Sequence, residues 1–413
     1  MASILDLPHE LVDRIVSEFQ HDPFNLRTCA LISSAFLPWS RQRLFSIVRL
    51  TASNIYAFRA LIESSPTVAS YVRRLEMPMM DNFPPSAILP PATLAQLPNV
   101  TDLSAHSDPF DFRQLPTGQE IVLAEAARRL TTVEILIDRL WPLPAWAALL
   151  NGCPALATLV IKAEATGWGS WTAADVAFPM PAPFAPGTLR LRTLRVSGDC
   201  KILVPLSAWL VPQCALAALQ TLVLDVSYLL DDYSAPDARP ALVLAAAPSL
   251  RELTLHLDPP MPLTSPETVL PIGLTSFPRL RTLHLRDGPD ADIGASLAWL
   301  GAFLQPPSSS PHAHMHTEPS ALEELSPDHS MIRRDLLTVP AASWRAIEEA
   351  LLGGEGDAGG NGKGEQYPHL RNVTFKGYQK FSLGAPDAFE HFSRTVRERL
   401  PRLVERGMLA VGR

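Results

Sequence analysis

One phrase recurs along the chain and narrows what it can fold into: an aliphatic residue, two of any kind, a second aliphatic, one of any kind, and a third apolar residue. It runs Val72-x-x-Leu75-x-Met77, Leu130-x-x-Val133-x-Ile135, Leu156-x-x-Leu159-x-Ile161 and Leu191-x-x-Leu194-x-Val196. It continues as Leu219-x-x-Leu222-x-Leu224, Leu250-x-x-Leu253-x-Leu255, Leu280-x-x-Leu283-x-Leu285 and Leu370-x-x-Val373-x-Phe375. Weaker copies stand at Val100-x-x-Leu103 and Leu322-x-x-Leu325. From Leu191 onward the first three intervals are 28, 31 and 30 residues. Alternation at the end of each phrase marks a short strand with one buried face. Helix-compatible stretches lie between phrases, for example residues 52–64, 119–129, 144–151 and 291–305. A strand and a helix of this size cannot bury their own apolar edge, so each unit needs its neighbours. Strands then stack in parallel, joined by right-handed crossovers.

This pattern, over residues 72–375, resembles leucine-rich repeats. The resemblance implies an α/β solenoid with a parallel sheet on its concave side and helices on its convex side. Three residues beyond the last apolar position, where that family usually has asparagine, stand Asp108, Asp138, Glu164, Asp199, Ser227, Asp258 and Gly288. A carboxylate there can accept a backbone N–H but cannot donate, so no continuous asparagine ladder forms and the solenoid is irregular.

The first fifty residues follow a different rule. Pro8 suits a helix start, and Leu11, Ile15 and Phe19, widened by Val12 and Val16, make an apolar stripe. Asp22-Pro23 starts a second helix with Leu26, Cys29 and Ala30 inward, and Ser33 or Ser34 caps a third that buries Phe36 and Trp39. Three helices this short cannot hide all of that apolar surface, so part of it should face a partner. Leu-Pro-x-Glu, Asp22-Pro23, Ser33, Phe36 and Leu44-Phe45 together resemble an F-box, with Ile32-Ser33-Ser34-Ala35-Phe36 where many members have Val-Ser-x-x-Trp. The resemblance implies docking onto the small adaptor of an SCF-type ubiquitin ligase. By motif position it assigns Leu7, Pro8, Leu11, Ile15, Val16 and Leu31 to the adaptor-facing surface. An F-box followed by such repeats and closing on Arg406-Gly407-Met408-Leu409 is similar to the large F-box families of mushroom-forming fungi.

The expected organisation is an F-box over residues 1–50, a solenoid over 51–385 and a C-terminal helical cap over 386–413. Inserts at 305–320 (Pro/Ser/His-rich) and 353–366 (Gly-rich) interrupt the solenoid. The closing helix should bury Phe389, Phe392 and Val396. On the solenoid's strands, Lys162, Arg195, His256, His284, Arg286 and Lys376 fall on the outward, concave face. They form a candidate net-basic surface for an acidic or phosphorylated target.

Other chemistries find little support. A net charge of −7 opposes binding driven by phosphate neutralisation, so no nucleic acid is expected. No apolar run reaches the roughly 18 residues of a membrane span, and no signal-peptide pattern opens the chain. Cys29, Cys153, Cys200 and Cys214 are far apart, which suits a reducing, cytoplasmic or nuclear compartment. Five lysines against thirty arginines suit a subunit that avoids becoming its own acceptor, and equally a GC-rich coding bias. His312, His314 and His316 alternate without a rigid frame for a metal. Gly354-x-Gly356-x-x-Gly359 follows a helix and carries Glu355 and Asp357, which would repel a pyrophosphate. No catalytic, cofactor or metal site is expected. The expected role is a non-catalytic substrate-recognition subunit: the head holds the adaptor and through it the cullin, and the repeats hold a protein target. A repeat scaffold without a ligase role is the alternative.

Overall fold

The computed structural model describes residues 7–20, 22–51, 53–77, 91–106, 119–137, 143–163, 189–213, 215–227, 238–257, 274–287, 293–304, 321–330, 339–352, 367–378 and 386–412. Both expected inserts, 305–320 and 353–366, lie outside the described residues, as do His312, His314, His316 and the glycines from 354 to 359. The chain divides into two compact units. One comprises Met1–Ser170 with Phe178–Leu189, the other Trp171–Ala177 with Arg190–Arg413.

The first unit opens with three helices, α1 (His9–Ser17), α2 (Pro23–Ile32) and α3 (Leu37–Leu44). Asp22 caps α2 as its sequence demands, its carboxylate accepting N–H groups from Phe24 and Asn25 at 3.0 and 3.1 Å. Pro8 sits just ahead of α1, and its carbonyl accepts the N–H groups of Leu11 and Val12. The third helix begins one turn later than its serines suggest: Ser33 Oγ accepts from Ala35 N, and Phe36 is the N-cap. Val12, Val16, Leu26, Cys29 and Phe36 form the core of this head, with Leu7, Phe19, Trp39 and Leu44 packed against it. Arg43 ties α3 back to α1 through Asp13 Oδ1 at 2.6 Å.

Strands and helices then alternate: β1 (Ile47–Arg49), α4 (Ile55–Ser64), α5 (Pro66–Tyr71), β2 (Arg74–Met77), α6 (Pro91–Ala95) and β3 (Asp102–His106). The unit ends with α7 (Gln119–Ala127), β4 (Thr132–Ile137), α8 (Leu143–Asn151) and β5 (Thr158–Ala163). Its strands pair in chain order, each pair parallel.

The second unit starts with β6 (Thr193–Asp199), a 3-10 turn (Cys200–Ile202), α9 (Leu203–Leu210), β7 (Thr221–Ser227), α10 (Arg239–Ala246) and β8 (Glu252–Leu257). A second 3-10 turn (Leu274–Ser276) leads to β9 (Thr282–Asp287), α11 (Ile293–Leu304) and β10 (Glu324–Ser330). It finishes with α12 (Ala341–Leu352), β11 (Asn372–Tyr378), α13 (Pro386–Arg399), α14 (Pro401–Glu405) and β12 (Leu409–Gly412). Its strands are also parallel and in chain order. Parallel strands joined by helices, repeated in order, are the architecture of an α/β repeat solenoid.

The physical basis of the repeat is visible in the backbone. The carbonyl before each of β1 to β4 and β6 to β10 accepts two successive N–H groups from the next unit. Thr101 O takes Thr131 N and Thr132 N at 2.8 and 3.1 Å, and Arg251 O takes Arg281 N and Thr282 N at 2.8 and 3.0 Å. Above this join the phrase aliphatics align, as in Leu194↔Leu222 and Leu253↔Leu283. Leu194, Leu222, Leu253, Leu283, Leu325 and Val373 are wholly buried. Trp146, Trp209 and Trp344 fill the helical side, and Trp344 lies 5.9 Å from the ring of Phe375.

In place of an asparagine ladder, individual side chains tie one repeat to the next. Asn99 Nδ2 donates to Ser70 O at 2.6 Å, and Ser249 Oγ to Leu219 O at 2.8 Å. Asp199, at the asparagine position, accepts Lys201 N at 2.9 Å, the one-way bond expected of a carboxylate. Asp108, Asp138, Glu164, Asp258 and Gly288 lie outside the described residues.

At the C-terminal end α13 buries Phe392 and Val396, and Phe389 is half-buried. The following segment adds β12, a strand with no phrase to announce it. Glu348, a buried residue of α12, accepts the N–H groups of Arg402 and Leu403 at 2.7 and 3.2 Å and so caps α14. Replacing Glu348 by alanine leaves two N–H groups without an acceptor and should cost about 2 kcal/mol in denaturant unfolding. Glu348→Gln, which keeps one carbonyl oxygen, should cost less.

Candidate functional site

On α1, Val12 and Val16 turn inward, which leaves Leu11 and Ile15, four residues apart, together on the outer face. Leu11 is 47% exposed and Ile15 40%. On α2, Phe24 and Leu31 are seven residues apart and share a face; they are 76% and 87% exposed, with Ile32 beside them at 62%. Burying one such side chain fully is worth roughly 1.5–3 kcal/mol, so five left in water on so small a head is a large uncompensated surface.

Of the residues assigned to an adaptor-facing surface, Leu11, Ile15 and Leu31 are exposed, Pro8 is exposed beside them in sequence, and Leu7 is half-buried against the core. Val16 is fully buried and belongs to the core of the head rather than to its surface. A stripe this wide has two sides, and the inward one is taken by the valines. Phe24 and Ile32 join the exposed group without having been singled out. Their signal was available, since Leu26 and Cys29 as inward residues put 24 and 31 on the opposite side of α2.

The outward sheet face carries the second set of candidates. In the first unit Lys162 Nζ lies 2.6 Å from Glu134 Oε1, and Arg74 reaches Glu76 at 2.8 Å and Glu134 at 3.7 Å. In the second unit His256 Nδ1 lies 3.2 Å from Asp225 Oδ1, and Arg286 lies 3.6 Å from its Oδ2. The ladder places Arg195 beside Val223, His284 between Thr254 and Ser326, and Lys376 beside Asp328. Among the described residues, carboxylates therefore stand beside most of these cations, and the outward face is of mixed charge. Strand neighbours of opposite charge meet across the ladder, and Glu252 and Glu324 add further carboxylates between them. Exposed pairs of this kind are worth about 0–1 kcal/mol each, so they set the charge of the face more than its stability.

Hydrogen bonding from His256, then the charges of His256 and Arg286, hold the Asp225 carboxyl below its ordinary range against the opposing effect of burial. Burial pushes the Cys153 thiol up to about 12, and Cys153 is an inert core residue rather than a nucleophile. Among the described residues no group of three or more His, Cys, Asp or Glu could hold a metal ion. No helix among them is long and apolar enough to cross a membrane.

No protein-family model matches the chain, and no curated protein matches it. Among solved structures, a protein from Bacteroides fragilis is 12% identical with a TM-score of 0.33, over 89% of this chain and 72% of that one. A chain from the crystal structure of the Rad7 and Elc1 complex in yeast is 11% identical with a TM-score of 0.26, over 93% of this chain and 96% of that one. Likenesses this loose bear on neither partner nor activity.

A folded-state pKa below the unfolded one gives Asp225 a stabilising contribution that is complete above its unfolded value near 4. It is lost as pH falls through the folded value. The stability advantage of the native chain over Asp225→Asn should therefore shrink as pH falls below about 4 in denaturant titrations.

Proposed function

We propose that the chain is the substrate-recognition subunit of an SCF (cullin-type) ubiquitin ligase. The N-terminal head binds the small adaptor, the repeats bind a protein target, and the chain itself performs no chemistry. The observation that carries this reading is the exposure of Leu11, Ile15 and Leu31 on a head whose core is already complete without them. Phe24 and Ile32 extend the same apolar supply. The F-box pattern of residues 7–45 supplies the identity of the partner.

A subunit of this kind works by proximity. Tying the target to the adaptor makes the encounter with the ubiquitin-carrying enzyme intramolecular and raises effective concentration toward the millimolar range. The head suits such a tether, because α3 runs directly into β1 and packs against α5, and Arg73 and Arg74 donate to Ser46 O at 2.9 Å. The target would meet a sheet face with paired charges, so shape and hydrogen bonding, more than net charge, would select it.

Co-elution of the full chain with the adaptor tests the proposal. Leu11→Asp with Leu31→Asp changes only exposed positions, so the thermal midpoint should stay within a few degrees while adaptor affinity falls at least about tenfold, roughly 1.4 kcal/mol. A native chain that ignores the adaptor, or a variant that binds it undiminished, would sink the ligase reading.

A further inference from the structure

The strongest unexplained feature lies far from the head in sequence, at β12. Within the second unit, the inward-pointing residues of β6 to β11 are almost wholly buried, among them Val373 and Phe375. Leu409 and Val411 pair with those two residues and point the same way, yet both are only half-buried. Their missing cover is on the side away from β11. Among the described residues β12 pairs with β11 alone.

The backbone of β12 matches this. Val373 N donates to Met408 O at 2.8 Å. By the alternation of a parallel ladder, residues 408, 410 and 412 then turn their polar groups to β11, and the N–H and C=O groups of Leu409 and Val411 point away from it. Exposed edges are usually guarded by proline, a charged side chain or a bulge. The sequence Leu-Ala-Val-Gly has no proline and no charge.

The edge is also held in place. Gly407, at φ +67°, closes α14 with a left-handed residue, and Met408 N donates to Leu403 O at 3.0 Å. The Glu348 cap fixes the other end of α14. A preformed edge loses little freedom when another strand joins it.

The sequence leading into β12 is basic in an acidic chain. Between residues 394 and 412 stand Arg394, Arg397, Arg399, Arg402 and Arg406 against Glu398 and Glu405, while the whole chain carries −7. Arg406 stands just before β12, and the Lys376 side chain lies 3.8 Å from where a Gly412 Cβ would be. Lys376 also stands beside Asp328 across the ladder, so the excess positive charge lies at the Arg406 end of the strand.

We infer that β12 accepts an extended, acidic segment of a partner protein as the next strand of the ladder. Main-chain bonds to Leu409 and Val411 supply the affinity, apolar side chains of the segment complete the cover over those residues, and carboxylates complement the basic run that ends at Arg406. This site is independent of the head and of the ligase reading.

The test uses the full chain and two labelled peptides of about eight residues, one alternating glutamate with valine and one alternating lysine with valine. The acidic peptide should bind at least about tenfold more tightly than the basic one. It should also slow amide exchange at Leu409 and Val411. Val411→Pro removes one outward N–H and no bond to β11, and should weaken the acidic peptide about tenfold. Arg406→Glu should weaken it without disturbing the backbone, which covers the case in which the proline variant fails to fold. Equal binding of the two peptides, or undiminished binding by Arg406→Glu, would overturn the inference. So would slow exchange at both amides in the free monomer, which would mean the chain covers its own edge. A dimer dissolved by Val411→Pro would assign the edge to a second copy and overturn it equally.

Discussion

A single carbonyl ahead of β1 to β4 and of β6 to β10, shared by two successive N–H groups of the next repeat, fixes the register on which the rest of the structure depends. The join recurs from Ser46 to Arg73, Thr101 and Thr131 in the first unit, and from Arg192 to Gln220, Arg251, Arg281 and Glu323 in the second. Because side chains alternate along a strand, a slip of one residue would turn every phrase aliphatic into water and every outward polar group into the core. Correct register puts Leu222 on Leu253 and Leu253 on Leu283, and it also decides which charges meet. The Lys162–Glu134 and His256–Asp225 pairs are consequences of ladder geometry. The same geometry turns a nominal row of cations into a nearly balanced face.

Stacking of this kind leaves its problems at specific places. A unit in the middle of a ladder has a neighbour on each side, and β12 among the described residues has one. The head is a different case. Its five-residue core closes around Val12, Val16, Leu26, Cys29 and Phe36, and the Arg43–Asp13 bridge holds α1 to α3. Nothing in that core requires Leu11, Ile15, Phe24, Leu31 or Ile32 to be apolar. Their exposure, at 40–87%, costs solubility with no return inside the chain. A docking surface is the economical physical account of it.

Most strands were legible in the sequence because the phrase and the strand are the same object. The inward residues of β2, β4 to β9 and β11 are the last two apolar positions of the eight full phrases. β10 was harder to read, since Pro327 stands where the third aliphatic belongs, and pairing to β11 lapses at Ser326 and Pro327 before resuming at Asp328. β1 and β12 are only three and four residues long, and no phrase marks either. In the head, the caps at Pro8 and Asp22 could be read directly. Which half of the α1 stripe faces inward could not, because Leu11, Val12, Ile15 and Val16 are all apolar and only packing against the rest of the head separates them. The charge balance of the sheet face was within reach, because Glu134 and Asp225 stood in the same outward columns as the cations. Columns read one at a time hide the diagonal pairing that cancels them.

Amide hydrogen exchange on the full chain, alone and with the adaptor, tests the central claim most directly, namely that the repeats are self-sufficient while the head is built for another protein. The account expects β4, β5, β7 and β8 to be protected equally in both samples. It expects exchange in α1 and α2 to slow about tenfold or more once the adaptor is added. Unchanged exchange in α1 and α2 at saturating adaptor would contradict it.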